Sequence, residues 1–520
     1  MKKFLYSIIL SLVLVNPSFA EIKWVNAGFF DNSGGLNNGF APTAIADNES
    51  PDLQNVVLSI YGSFATRDGY EKINSSTLGA SVVCTGLKYY VPTSGTKYII
   101  SLFNNDKIYK MDYGVSGPDG TWDDITGALS FEIGQDNFSS FAIGEDVLII
   151  EDGLNTTAPY QWSGSGNATA LSAGAPNAAV VAYHKKMAFA AGNNTYPSTL
   201  YFTDIGDITN WTTGLSGNVS VETNDGSIIR ALISGFDALY IFKDTSIWRL
   251  TGDDKDNFRL QRMVSGIGCK SPNSPKRIGN DFYFTNAQGN VYLYDGAIKV
   301  NLISTKVQGT IDTSNFSRWD NVVAEQFKDD YYVSYSNTGS LTHNRLLLFD
   351  SFNTAWTKFI GLNVNAIAVA DDGSGQNMLI FGDYSGFVYK YPSGTNDAGT
   401  AINSYFITKQ FRFAELKPNK DFKVLNVFAA QKGNYNLTVE TRKDFEASGT
   451  TENINLLGDS ALWGTAIYGA DRYGGQNIIV GRIEINKEGH FFQIKFSNSI
   501  LDEPFEVKGY QIFVEQSDRI

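Results

Sequence analysis

Three histidines, two cysteines and 54 acidic side chains are the material from which this 520-residue chain could build a reactive centre. His184, His343 and His490 lie far from one another and from either cysteine, so no pair has the short spacing with which one element presents two metal ligands. The sequence contains no H-E-x-x-H, G-x-S-x-G or G-x-x-x-x-G-K-[ST] stretch, which removes the usual entry points of metalloprotease, hydrolase and nucleotide-binding chemistry. Cys84 and Cys269 fit neither a disulfide framework nor a metal-ligand pair and read as small buried apolar residues. Asp253, Asp254 and Asp256 share the loop GDDKDN, and clustered carboxylate oxygens suit calcium. The loop lacks the spacing and terminal glutamate of an EF-hand, so a solvated turn is expected. Asp123-Asp124, Asp329-Asp330 and Asp371-Asp372 fall at hairpin ends, where Asp bonds its own backbone. No catalytic, cofactor-binding or metal residue is assigned, and the expectation is a protein that is not an enzyme and carries no cofactor.

The elements that would position any site are strands. Fifty Gly, 27 Tyr and 35 Phe, against 5 Met and 18% charged residues, describe many short strands joined by tight turns. Seven stretches share one plan, an apolar strand, a polar turn and an aromatic strand. They are YIISLFNNDKIYKMD, VLIIEDGLNTTAPYQW, MAFAAGNNTYPSTLYFTD, ALYIFKDTSIWRLTG, DFYFTNAQGNVYLYDG, YYVSYSNTGSLTHNRLLLFD and MLIFGDYSGFVYKYPSG. Their spacing, about 47 residues, is that of a four-stranded propeller blade. Trp122, Trp162, Trp211, Trp248, Trp319 and Trp356 recur alongside them and are expected to pack between neighbouring sheets. The last hairpin is too short for a full blade, and residues 55–70, NVVLSIYGSFATRDGY, are expected to supply the strand that closes the ring. After residue 400, FKVLNVFAA, YNLTVETR, IIVGRIEI and HFFQIKFS alternate as half-buried strands do. Phe505 and Val507 keep one phase and Tyr510, Ile512 and Val514 the other, which predicts a β-bulge at Gly509. The expected fold is all-β, a propeller of about seven blades, with six to eight allowed, followed by an antiparallel sandwich. The domain boundaries are a signal peptide at 1–20, an extended arm at 21–54, the propeller at 55–400 and the sandwich at 401–520.

Lys2 and Lys3, the apolar run from Phe4 to Val15 and the small residues ending at Ala20 read as an export signal cleaved after Ala20. No later segment approaches the roughly 20 apolar residues of a membrane anchor. The net charge of −13 argues against a general nucleic-acid-binding surface. The stretches APTAIADNESPDLQNV and GSFATRDGY, with Arg67-Asp68-Gly69-Tyr70 in the latter, resemble β-propeller tail nozzle and tail-stabilisation type structural proteins of short-tailed bacteriophages. Further likenesses run through PYQWSGSGNATALSAGAP, STLYFTDIGDITNW, LYIFKDTSIWRLTG and the sandwich, over about residues 25 to 520. The resemblance implies a non-catalytic virion component. Several copies, or this chain with other tail and portal proteins, would surround a channel through which DNA passes without sticking to its acidic wall. The leader departs from that pattern, because virion parts assemble in the cytoplasm. A functional leader implies instead a periplasmic or extracellular propeller that binds or cleaves a polysaccharide or a surface partner. Such a protein needs a polar pocket at the channel mouth, lined by acids and aromatics from several blades.

Overall fold

The computed structural model describes residues 23–114, 117–130, 132–154, 156–171, 174–222, 225–413, 420–457 and 478–516. The leader at 1–20 lies outside the described residues. The fold is all-β, with seven blades around one axis and a two-sheet sandwich. Each repeated hairpin forms the second and third strands of a blade, beginning at Lys97–Phe103, Val147–Glu151, Met187–Ala191, Leu239–Lys243, Asp281–Thr285, Asp330–Tyr335 and Asn377–Gly382. The central residues of these second strands are buried and mostly apolar because both of their faces pack on a neighbouring blade. Trp162 packs between blades 1 and 2 against Tyr98, and Trp211 between blades 2 and 3.

In blades 2, 3 and 6 the first hairpin turns on two successive left-handed residues: Glu145-Asp146, Lys185-Lys186 and Lys328-Asp329. Paired positive φ values give the type I′ twist that matches two right-twisted strands.

The ring closes at blade 7, but not through residues 55–70. Its fourth strand is Glu71–Lys72, which pairs with Tyr389 and Lys390. Val56–Leu58 and Phe64–Thr66 instead form a hairpin joined to Glu506–Gln516 of the sandwich. Apolar burial decides this: Phe64 is fully buried and its ring stacks on Phe406 at 4.2 Å. The exposed pair Glu71 and Lys72 suits an outermost strand on the rim.

Residues expected as an extended arm also enter the sandwich. Lys23–Phe29 pairs with Glu506–Gln516, and Asp52–Gln54 with Ser404–Ile407. One sheet holds Ile478–Gly489, Lys420–Ala430 and Glu506–Gln516; the other holds Thr450–Asn455, Asn436–Lys443 and Phe492–Asn498. The register of the first shifts where Phe428 faces Gly509 and Ala429 faces Val507, so the bulge lies where the change of phase put it. The buried core runs without a break from blades 5 and 6, through Trp319 and Trp356, into Phe422, Phe496 and Tyr510 of the sandwich.

Arg67 holds the seam. Its five guanidinium donors all find acceptors: Asn55 Oδ1 at 3.1 Å, Asp68 O at 2.8 Å, Ile360 O at 3.1 Å, and the two Asp397 oxygens at 2.8 and 2.6 Å. Asn55, left-handed at φ 54, also accepts from the Ile360 amide and donates to Asn403 O. A Cβ on Gly69 would lie 2.0 Å from Asn396 O, so only glycine lets the chain pass there. Tyr70 donates to Gly361 O at 2.9 Å. Upstream, Glu49 pairs with Lys306 at 3.0 Å, while Asp52 accepts from Lys358 and Tyr405 at 2.9 and 2.8 Å. Replacing Arg67 by Ala orphans a buried carboxylate, and the urea unfolding midpoint is expected to fall by the equivalent of about 3–5 kcal/mol. An unchanged midpoint would contradict this assignment.

Candidate functional site

The first strands of the blades, Cys84–Tyr90, Ser140–Gly144, Val180–His184, Ile229–Ser234, Lys276–Ile278, Val323–Phe327 and Ala366–Asp371, surround the propeller axis. Small residues at Gly86, Ser140, Ala324, Ala366 and Ala368 leave an axial cavity of about 310 Å³. Its ionic groups are Lys88, Lys276 and Glu325, with Lys276 Nζ 3.0 Å from Glu325 Oε2. A lysine inside the apolar strand CTGLKYY was the one sequence signal for this site. It is easily passed over, because charged residues in strands usually face solvent.

One mouth of the axis is spanned by residues 132–139, which precede blade 2 but reach across to blades 6 and 7. Ile133 N donates to Asp106 of blade 1 at 2.6 Å, Asn365 Nδ2 of blade 7 donates to Gln135 O, and Phe138 is buried among Tyr332, Leu346 and Phe381. Arg318 makes two charge-assisted hydrogen bonds to Asp136, at 2.8 and 2.6 Å, and the His343 ring lies parallel to Phe138 at 6.3 Å. Outside this strap is a second cavity of about 280 Å³, whose polar lining includes Asp136, Asn193, Asn194, Arg230, Lys270 and Asp320. Asp244 draws Arg230 and Lys270 together, at 2.7 and 3.7 Å.

The histidines do not converge. His184 sits in blade 3 and meets Ser234 Oγ at 2.9 Å; His343 is in blade 6; His490 follows a sandwich strand. Burial, then the charge of Lys185, lowers the His184 pKa to about 4. Burial, then the charge of Arg318, lowers that of His343 to about 3. Both are neutral at physiological pH. Cys84 and Cys269 are free and buried in different blades, and burial pushes both thiols up to about 12. Asp254 accepts from the Asp256 and Asn257 amides, and Asp253 pairs with Lys185 at 2.8 Å, so GDDKDN is a stapled turn. Among the described residues no group of three His, Cys, Asp or Glu side chains is placed to hold a metal ion. No helix among them is long and apolar enough to cross a membrane.

Two carboxyls stand apart, one buried and one half-buried. Glu151, fully buried in blade 2, has its pKa raised well above the ordinary value by burial and by neighbouring Asp152. Asp330 is raised from 3.8 to about 7 by burial and by the charge of Asp350.

No protein-family model matches the sequence, and no curated protein matches it. Among solved structures the chain is similar to the computationally designed Ika8 protein, with a TM-score of 0.39 and 11% identity over 62% of this chain and 99% of that one. It is similar to YCF48 from Cyanidioschyzon merolae, with a TM-score of 0.40 and 12% identity over 62% and 98%. PorZ, a surface component of the type-IX secretion system of Porphyromonas gingivalis, gives a TM-score of 0.38 and 12% identity over 68% of this chain and 44% of its own. At this level the likeness is one of fold and says nothing about function.

Replacing Arg318 by Ala frees the strap, and hydrogen exchange at residues 132–139 should quicken about tenfold, roughly 1.4 kcal/mol of local stability, with 239–243 unchanged. Unaltered exchange in the strap would show that Asp136 does not hold it. For Asp330, the raised pKa means the native state binds this proton more tightly than the unfolded chain does. Its contribution is therefore most favourable below about pH 4 and is lost as pH rises to about 7. Asp330→Asn should then stabilise the protein by about 1–2 kcal/mol at pH 8, allowing for solvent screening, and leave it unchanged near pH 4. Equal effects at both pH values would refute the shift.

Proposed function

We propose that this protein is a non-catalytic structural part of the tail of a short-tailed phage, in which the propeller is a rigid spacer and the sandwich carries assembly contacts. The observation that carries the reading is the use to which the residues of the resemblance are put. In the segment 49–55, Glu49 and Asp52 bond to Lys306 and Lys358 on the propeller side while Asp52, Gln54 and Asn55 bond to Tyr405 and Asn403 of the sandwich, and Arg67 and Tyr70 bond onward to Ile360, Asp397 and Gly361 at the ends of blades 6 and 7. The likeness is thus to a way of fixing two bodies against each other, which an assembly part requires, and not to reaction chemistry. The axial cavity of about 310 Å³ beneath the strap is far too small for a duplex. In this reading, DNA runs through a space enclosed by several copies, not through one propeller.

The polar cavity outside the strap favours the second reading, an exported propeller that binds a glycan. Its lining joins two acids, three amides and two cations from several blades, though its one aromatic, Phe138, is buried.

Sequencing the DNA that flanks the gene separates the two readings. Neighbouring frames for a portal, a capsid protein and a packaging motor are the expected result, with an intact mass that shows no cleavage after Ala20. Neighbours for secretion or sugar uptake, together with cleavage after Ala20, would overturn the phage reading.

A further inference from the structure

Charge inside the axial cavity is unbalanced. Lys88 and Lys276 both reach it, and the single carboxylate among the lining side chains, Glu325, is engaged on both oxygens: Oε2 accepts from Lys276 at 3.0 Å and Oε1 from the Gln326 amide at 3.0 Å. The half-buried Lys88 side chain makes no hydrogen bond or ion pair through its ammonium among the described residues, and Ser139 Oγ, also lining the cavity, is buried without a partner. A strongly hydrated cation is costly to hold in so narrow a space without a counter-charge. Burial lowers the Lys88 pKa, the charge of Glu325 opposes that shift and the charge of Lys276 adds to it, which puts both charges within electrostatic reach of Lys88. The strap lies over the Ser139 end, with Pro272 lining both this cavity and the outer one. At the other end the lining continues past Tyr89, Ile233 and Val369.

We propose that the axial cavity binds one small oxyanion, a carboxylate or phosphate group, between Lys88 and Lys276. The volume of about 310 Å³ suits a small metabolite or an acidic group, at the lower end of known ligand pockets. Ammonium hydrogens from the two lysines supply charge-assisted bonds, Ser139 Oγ adds a neutral donor, and the anion completes the neutralisation that Glu325 begins. This site does not depend on the assembly reading, since a tail part and an exported binding protein could both contain it.

Calorimetric titration of the full chain with sodium acetate and with inorganic phosphate, in chloride-free buffer at fixed ionic strength, tests the site. Saturable binding of at least one probe at one site per chain is expected, and the probe that binds identifies the favoured group. Lys88→Met should weaken that binding at least tenfold, and Lys88→Arg should retain it. Glu325→Gln, which removes the competing negative charge, should tighten it by about tenfold. No saturable binding of either probe to the unmodified chain would overturn the proposal. So would affinities left unchanged by both Lys88→Met and Glu325→Gln.

Discussion

One buried guanidinium organises the seam on which the rest of the molecule depends. Arg67 lies between the propeller and the sandwich with no exposed side-chain surface, and its acceptors come from the N-terminal segment, the end of blade 6 and the linker that follows blade 7. Removing such a charge from water is expensive, and a bidentate carboxylate with three further acceptors is what compensates it. The planar fork fixes direction as well as energy. Because residues 69 and 70 are hydrogen-bonded to the 394–398 linker, the strand after them is delivered to blade 7 in one register. Closure of the ring and docking of the sandwich are therefore parts of the same contact.

The ring makes the second constraint. A single four-stranded sheet leaves both faces open, and only its neighbours cover them, so seven blades stand or fall together. Packing seven first strands around an axis requires small residues there, and this requirement creates the polar cavity. The strap then ties blade 2 to blades 6 and 7 across the mouth, a connection over and above the contacts between adjacent sheets.

Much of this could be read in the residues, for reasons specific to each part. The second strand of every blade is largely buried and apolar at its centre and the third mixes buried apolar or aromatic residues with half-exposed ones, and their repetition is visible. The change of phase around Gly509 gave the bulge in the same way. The closing strand left no such mark, since Glu71 and Lys72 are exposed and only two residues long. The apolar hairpin beside it looked like a better blade strand but had sandwich partners some 440 residues away. The turns at Lys185-Lys186 and Lys328-Asp329 carry no glycine or asparagine, so their left-handed backbone comes from the strands they join. At the axis, Lys88, Lys276 and Glu325 come from blades 1, 5 and 6, and no local pattern links residues so far apart. The strap was equally hidden, because Asp136 and Arg318 meet only through the ring.

The Arg67 clasp and a continuous core join the propeller and the sandwich into one cooperative body. Differential scanning calorimetry of the full chain tests that most directly. A single transition whose calorimetric and van't Hoff enthalpies agree is the predicted result, dividing into two when Asp397 is replaced by Ala. Two separate transitions in the unmodified protein, one for the ring and one for the sandwich, would contradict it.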